Sequence, residues 1–407
     1  MKKNFYPFMA LLVLIMTALA CASPFGGGGQ PSSPNEIETI VAATFQALTP
    51  VSSGGETVIP APVGLLPHSL YFINNDDAGI AQVFRLETDG KTVRQITFEP
   101  SAVGSYDVSQ VDGSVAYVAG NQLLLIHADG SDRRVLFDGG YMDPNYGFIN
   151  AVRFPAFSPN GKTIAYGYKG LNLYALDANV SNRVLEDDID DRGNNNFFPR
   201  EMYWPSRYSP DGTKLLITLG YYEGASAAIY YPAANSSVRL KGGEGALICC
   251  GEEEWTLDGS AFYSASPAVG MFNSGLWKVD TASGAVTMLI SSNYETGSFN
   301  YADEPYLAPD GKLYYFFLGT AGEFNSRAPL QLVHSAPDGV TDRTTLRPET
   351  FELMNEALWA PDASFVITAK APADSIYTGG ALELYYTDSA KSMISLLPFG
   401  RQLKWGP

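Results

Sequence analysis

Phe157-Ser158-Pro159-Asn160-Gly161 decides the fold, because the chain repeats it. It returns as Tyr208-Ser209-Pro210-Asp211-Gly212, Trp255-Thr256-Leu257-Asp258-Gly259, Leu307-Ala308-Pro309-Asp310-Gly311 and Trp359-Ala360-Pro361-Asp362-Ala363, with a weaker copy at Ser109-Gln110-Val111-Asp112-Gly113. Successive Asp or Asn markers are 47 to 52 residues apart, the period of a four-stranded propeller blade. Each copy has the chemistry of a tight turn: Pro presets φ, Asp or Asn bonds its own backbone, and Gly takes a positive φ between two strands.

Working outward, each turn is followed by a β-rich run such as Ile164-Ala165-Tyr166-Gly167 or Leu313-Tyr314-Tyr315-Phe316. A third strand follows, as in Leu171-Asn172-Leu173-Tyr174, then a second polar turn such as Asp129-Gly130-Ser131 and a short fourth strand such as Arg134-Val135-Leu136. Ahead of the first full repeat stand three strands, Ser69 to Ile73, Gln82 to Leu86 and Val93 to Thr97, without a leading one. Leu403-Lys404-Trp405-Gly406-Pro407 repeats the start of the pattern at the other end. The expectation is an all-β, seven-bladed β-propeller of four-stranded antiparallel blades over residues 64–407. Its C-terminal strand should close the first blade and so remove exposed sheet edges.

The aromatic-Ser-Pro-Asp-Gly turn followed by a β-branched or aromatic strand resembles the WD-like repeat of TolB-type propellers, from Gly64 to Pro407. The Gly-His and Trp-Asp dipeptides of true WD repeats are absent. The resemblance implies a fold and leaves function open, since such propellers serve as interaction scaffolds, peptidase gating domains and a few lyases. A TolB-type lyase would bring several channel histidines, whereas this chain has His68, His127 and His334, all on or beside second and third strands.

Composition narrows the partner. Twenty-six Lys plus Arg against 43 Asp plus Glu give a net charge of −17, which disfavours nucleic acid and anionic lipid surfaces. Residues 1–20 read as an export signal, with Lys2 and Lys3 ahead of the apolar run from Phe8 to Leu19. Ala18-Leu19-Ala20-Cys21 resembles the lipobox of bacterial lipoproteins, in which the Cys thiol receives a diacylglycerol, although Leu is usual where Ala18 stands. Lipidation at Cys21 would anchor an exported protein to a membrane of the cell envelope or surface. Cleavage within Ala20-Cys21-Ala22 would release it instead. Residues 21–63 read as a tether, glycine-rich at first, with a short amphipathic helix near 34–48 that carries Ile37, Ile40, Val41, Phe45 and Leu48 on one face. That helix could dock on its own propeller or on a partner.

Loops joining one blade to the next should ring one mouth of the central channel. They carry Tyr146 and Phe148, Phe197 and Phe198, and Tyr294 and Tyr301 among amides and carboxylates, a mixture suited to a peptide or a neutral envelope polymer. The same rings could fold inward to cap the core. Six residues before their turn markers, Glu252, Glu304 and Glu356 occupy one position in three successive repeats. Carboxylates about 10 Å apart repel by roughly 1.7 kcal/mol at an effective dielectric near 20, a cost that a cation would relieve. No cofactor is required; calcium is the metal that such oxygen ligands would suit. Solvated carboxylates in a wet channel are the alternative.

Asp187, Asp188, Asp190 and Asp191 read as a solvated acidic loop, because Arg192 and Pro199 break the EF-hand spacing. Cys249 and Cys250 are adjacent, either a strained vicinal disulfide beside Glu252 or two free thiols. No G-x-S-x-G elbow, P-loop or dinucleotide motif appears, and no stretch is left for a hydrolase domain. The leading expectation is a noncatalytic, membrane-anchored interaction module. A cation-dependent glycan-cleaving or lyase-type enzyme and a structural subunit of a surface assembly are the alternatives.

Overall fold

Where the repeated pentapeptides stand, the chain turns tightly between two strands. At Ser209-Pro210-Asp211-Gly212 the Gly212 N–H donates to the Ser209 carbonyl at 2.8 Å, and the Asp211 carboxylate accepts the Ser209 hydroxyl at 2.6 Å and the Thr213 N–H at 3.0 Å. Gly212 has φ +71°, and the copy that lacks glycine places Ala363 in the same left-handed region at +55°. One side chain thus satisfies donors that the turn takes out of the ladder.

The computed structural model describes residues 64–407 except 195, 244, 245, 247, 249–252, 268–272, 294, 325 and 326. Cys21, the expected helix near 34–48, Cys249, Cys250, Glu252 and Tyr294 lie outside the described residues. Among the described residues no helix is long and apolar enough to cross a membrane. In a representative repeat the strands Arg153–Phe157, Thr163–Gly167, Gly170–Ala175 and Val180–Glu186 lie antiparallel in chain order. Second strands such as Val115–Ala119 and Leu215–Gly220 are buried along their whole length. That burial explains why they read as unbroken apolar runs rather than alternating ones.

The described residues form four sheets of four strands, one of five and one of seven. The largest exists because Ile394–Trp405 serves two neighbours. Its first half pairs with Gly380–Tyr386, Leu397 opposite Leu382, and its last residues pair with Leu70–Asn75, Trp405 opposite Leu70. The two ends of the described chain are thereby hydrogen-bonded together. Sheets pack face to face in succession. Leu70, Phe72 and Leu86 meet Phe365, Ile367 and Leu384 across one such joint, and Tyr71, Ile73 and Val83 meet Tyr117 and Leu124 across the next. Each fully buried Leu, Ile or Phe contributes about 1.5–3 kcal/mol. Side chains also bond across the joints: Trp359 Nε1 donates to the Glu304 carbonyl at 2.9 Å, Trp405 Nε1 to the Trp359 carbonyl at 2.7 Å, and the Tyr106 hydroxyl to the Gln402 carbonyl at 2.6 Å. The architecture is that of a β-propeller.

Two expected loops are instead strand. Asp188–Asp191 pairs with the first half of the twelve-residue strand Phe197–Tyr208, extending a hairpin beyond its sheet. The acidic run is held in that ladder by arginines, Asp190 meeting Arg192 and Arg200 at 3.2 Å each. Likewise Phe299–Leu307 is strand from its first residue, placing Tyr301 inside a sheet.

Candidate functional site

Three innermost strands bulge at the position six residues before the turn marker or its counterpart. Phe154, Glu304 and Gln402 occupy it with φ near +50°, at +50°, +48° and +54°, and the ladders lose register there. A bulge frees backbone N–H groups, and side chains of the preceding sheet accept them. Ser105 Oγ takes the Phe154 N–H at 3.1 Å, and Asp107 takes that of Phe157 at 2.7 Å. Glu304 takes the Ala357 N–H at 3.0 Å, and Glu356 takes those of Gln402, at 2.7 Å, and Leu403.

The two described members of the expected acidic trio therefore point along the ring and hold the next strand. Neighbouring amides are already partners for these carboxylates. Burial raises the Glu356 pKa, and its two N–H bonds oppose that rise. Among the described residues no group of three or more His, Cys, Asp or Glu side chains could hold a metal ion.

Two ion pairs join innermost strands of neighbouring sheets. Lys404 reaches Asp107 at 2.9 Å, and Arg207 bonds Glu254. Two carboxyls titrate unusually high: burial pushes Asp303 up to about 7 and Asp187 up to about 6. Each accepts a backbone N–H, Asp303 from Glu304 at 3.1 Å and Asp187 from Tyr203 at 2.7 Å. Arg153 packs over the Trp204 ring at 5.3 Å and donates to the Phe148 carbonyl at 2.7 Å. Burial lowers its pKa.

The loops gather the expected aromatic residues into two groups and release one to the core. Tyr146 stands edge-on to Phe148, centroids 6.2 Å apart, and to Phe197 at 5.3 Å, tying the 141–150 loop to the hairpin. Phe198, next in the strand, faces the other way and stacks on Tyr222 at 4.5 Å and 27°. The Arg192 guanidinium lies 4.2 Å from the Phe198 centroid. All four expected rings are half-buried. Tyr301, by contrast, is 1% exposed, and its hydroxyl accepts the Phe324 N–H at 2.9 Å. It is a core residue rather than a binding one, because the strand that carries it turns it between two sheets.

Sequence reasoning missed Phe98, Tyr222 and Tyr377, exposed by 72, 54 and 67%, while Tyr141, exposed by 80%, opens the same expected loop as Tyr146 and Phe148. Tyr222 and Tyr377 belong to connections between second and third strands, which open on the same side of the ring as the inter-sheet loops. The signal was present in Tyr221-Tyr222-Glu223-Gly224, an aromatic pair at a glycine turn. Among the exposed large apolar side chains of the described residues, the aromatics Phe98, Tyr141, Tyr222 and Tyr377 stand in loop-side connections and Phe154 in an innermost strand, whereas the turns on the other side show aliphatics such as Val111, Leu257 and Val340. His127 and His334 lie at the far turn and on a third strand, away from these rings.

No family model and no curated protein matches the chain. Solved structures similar to it include TolB from Acinetobacter baumannii, at 16% identity over 68% of this chain and 63% of that one, with a TM-score of 0.41. The chain thus spans less than two thirds of that protein. A TolB from Agrobacterium tumefaciens is similar at 17% identity over 75% of this chain and 99% of that one, with a TM-score of 0.40. An oligogalacturonate lyase in complex with manganese is similar at 10% identity over 81% and 84%, with a TM-score of 0.49.

Proposed function

We propose that this chain is a noncatalytic interaction module, a seven-bladed propeller that binds a protein or envelope polymer through its loop side and is held to a membrane by lipid on Cys21. The observation that carries the reading is the segregation of exposed aromatic rings, from Phe98 to Tyr377, onto one side of a ring whose other side is turns. Aromatic side chains present large contact area at low conformational cost and are favoured at binding surfaces. The blade count is supported by seven innermost strands, the last five residues of Ile394–Trp405 supplying one of them.

The enzyme alternative draws less support, since Glu304 and Glu356 are engaged with backbone amides of the next strand. A photo-crosslinking residue at Tyr141 tests the reading in intact membranes. It should trap a discrete partner or polymer that the same probe at Leu257, on the turn side, does not trap. Equal labelling from both sides would refute a loop-side binding face. Membrane retention that survives Cys21→Ser would remove the anchor. Glu304→Gln tests the alternative, since loss of a cation-dependent cleavage activity in a variant that still folds would install an enzyme in place of the module.

A further inference from the structure

We infer that the loop-side surface over the hairpin and its neighbouring loops docks a basic segment of a partner polypeptide, its arginine or lysine side chains lying on the aromatic rings; this rests on the interaction reading above. The stacked pair of Phe198 and Tyr222 is a platform, with Tyr222 54% exposed. The molecule shows what such a platform accepts, for the guanidinium of its own Arg192 lies 4.2 Å from the Phe198 centroid. A cation over a ring face is attracted by the ring quadrupole, by about 0.5–2 kcal/mol depending on desolvation. Tyr141, 80% exposed, offers a further ring on the adjoining loop.

Charge selects the partner. Asp138 and Asp143 lie within three residues of Tyr141 in the chain, Asp191 pairs with Phe197 across the hairpin and Glu223 follows Tyr222, and none of these carboxylates has an ion-pair partner among the described residues. Residues 138–150 and 220–225 contain no Lys or Arg at all. Three of these carboxylates are held in place by backbone N–H groups, Asp138 by Gly140 at 2.8 Å, Asp143 by Asn145 at 2.8 Å and Asp191 by Gly193 at 2.9 Å. Fixed carboxylates without an ion pair beside exposed rings complement cationic side chains, whereas a neutral glycan would offer them hydrogen bonds but no countercharge. The net charge of −17 would steer such a segment toward the molecule.

The test uses the full-length chain and labelled short peptides alternating glycine with arginine, glutamine or glutamate, in about 0.15 M salt, where long-range attraction is screened within about 8 Å. The arginine peptide should bind and the other two should not. Tyr222→Ala should weaken binding about three- to thirtyfold. Asp143→Asn combined with Asp191→Asn should weaken it to a similar degree, and Leu257→Ala on the turn side should leave it unchanged, with thermal unfolding the same in all. Equal binding of the glutamine peptide, or unchanged binding by the loop-side variants, would overturn the inference, the second because attraction would then be a property of net charge alone. If the arginine peptide fails while the Tyr141 probe still traps a partner, the interaction reading stands and the basic partner is rejected.

Discussion

The two sides of the ring are built from the same strands by different means. On the turn side each connection is short and solved locally: an Asp or Asn accepts the hydroxyl and N–H groups of residues within three of it, as Asp211 and Asp258 do. On the loop side the innermost strands bulge, and the freed N–H groups are answered by side chains about 50 residues away, as Glu304 answers Ala357 and Glu356 answers Gln402. Local solutions repeat in sequence because each turn needs the same residues. Long-range solutions vary from joint to joint, since Ser, Asp and Glu all serve, which leaves this side free to carry exposed rings and irregular loops.

Breaking the ring at its closure should have the largest effect. Removing Leu403 to Pro407 takes the innermost strand from Leu70–Asn75 and opens the joint where Leu403 and Leu70 are buried. Stability should fall by roughly 5 kcal/mol or more, read as loss of a single cooperative thermal transition. A truncation as stable as the parent would show that the other joints hold without closure.

Next in size is the carboxylate that grips that strand. Glu356→Ala leaves the N–H groups of Gln402 and Leu403 without their acceptor, at a cost of about 2–4 kcal/mol. Glu356→Gln, which keeps one acceptor oxygen, should cost about half as much. Equal losses in denaturant titrations would mean that the charge, rather than the acceptor geometry, is what matters.

Asp303 sharpens the comparison through pH. Burial keeps it protonated up to about pH 7 in the folded chain, against a reference carboxyl pKa of 3.8. Folding therefore takes up a proton between those values, so this group favours folding at low pH, and its contribution is lost as pH rises from about 4 to 7. Asp303→Asn should be more stable than the parent at pH 8 by about 1–3 kcal/mol, with the gap closing toward pH 4. A gap that widened on acidification would reverse the sign and place Asp303 in an ion pair.

A turn-side change should be smaller. Asp211→Ala removes one local acceptor and should cost about 1 kcal/mol, with peptide binding untouched. Smallest in stability is Tyr222→Ala, expected within about 0.5 kcal/mol of the parent yet defective in binding. A Tyr222 variant that unfolds would make that ring a structural prop.

Much of the fold was legible because its determinants are local. Pro159, Asp211 and Gly259 stand where backbone geometry demands them, and the period between copies fits the four-stranded sheets that recur along the chain. The closing strand was legible too, since Leu403 to Trp405 repeats a pattern whose other half stands near residue 70. The site was legible in part. Tyr146, Phe148, Phe197 and Phe198 do gather on the loop side, but Tyr301 could not be told from them by composition, because burial depends on which way a strand faces.

By itself, then, the sequence determined the turns, the four-stranded repeat and the way the ends meet, since these follow from φ preferences, hydrogen-bond chemistry and apolar runs within a few residues of one another. Tertiary structure alone decided what Glu304 and Glu356 hold and which aromatic rings face solvent. Those outcomes depend on where a bulge in one sheet brings its amides against a neighbour some 50 residues away, a distance over which no local preference acts.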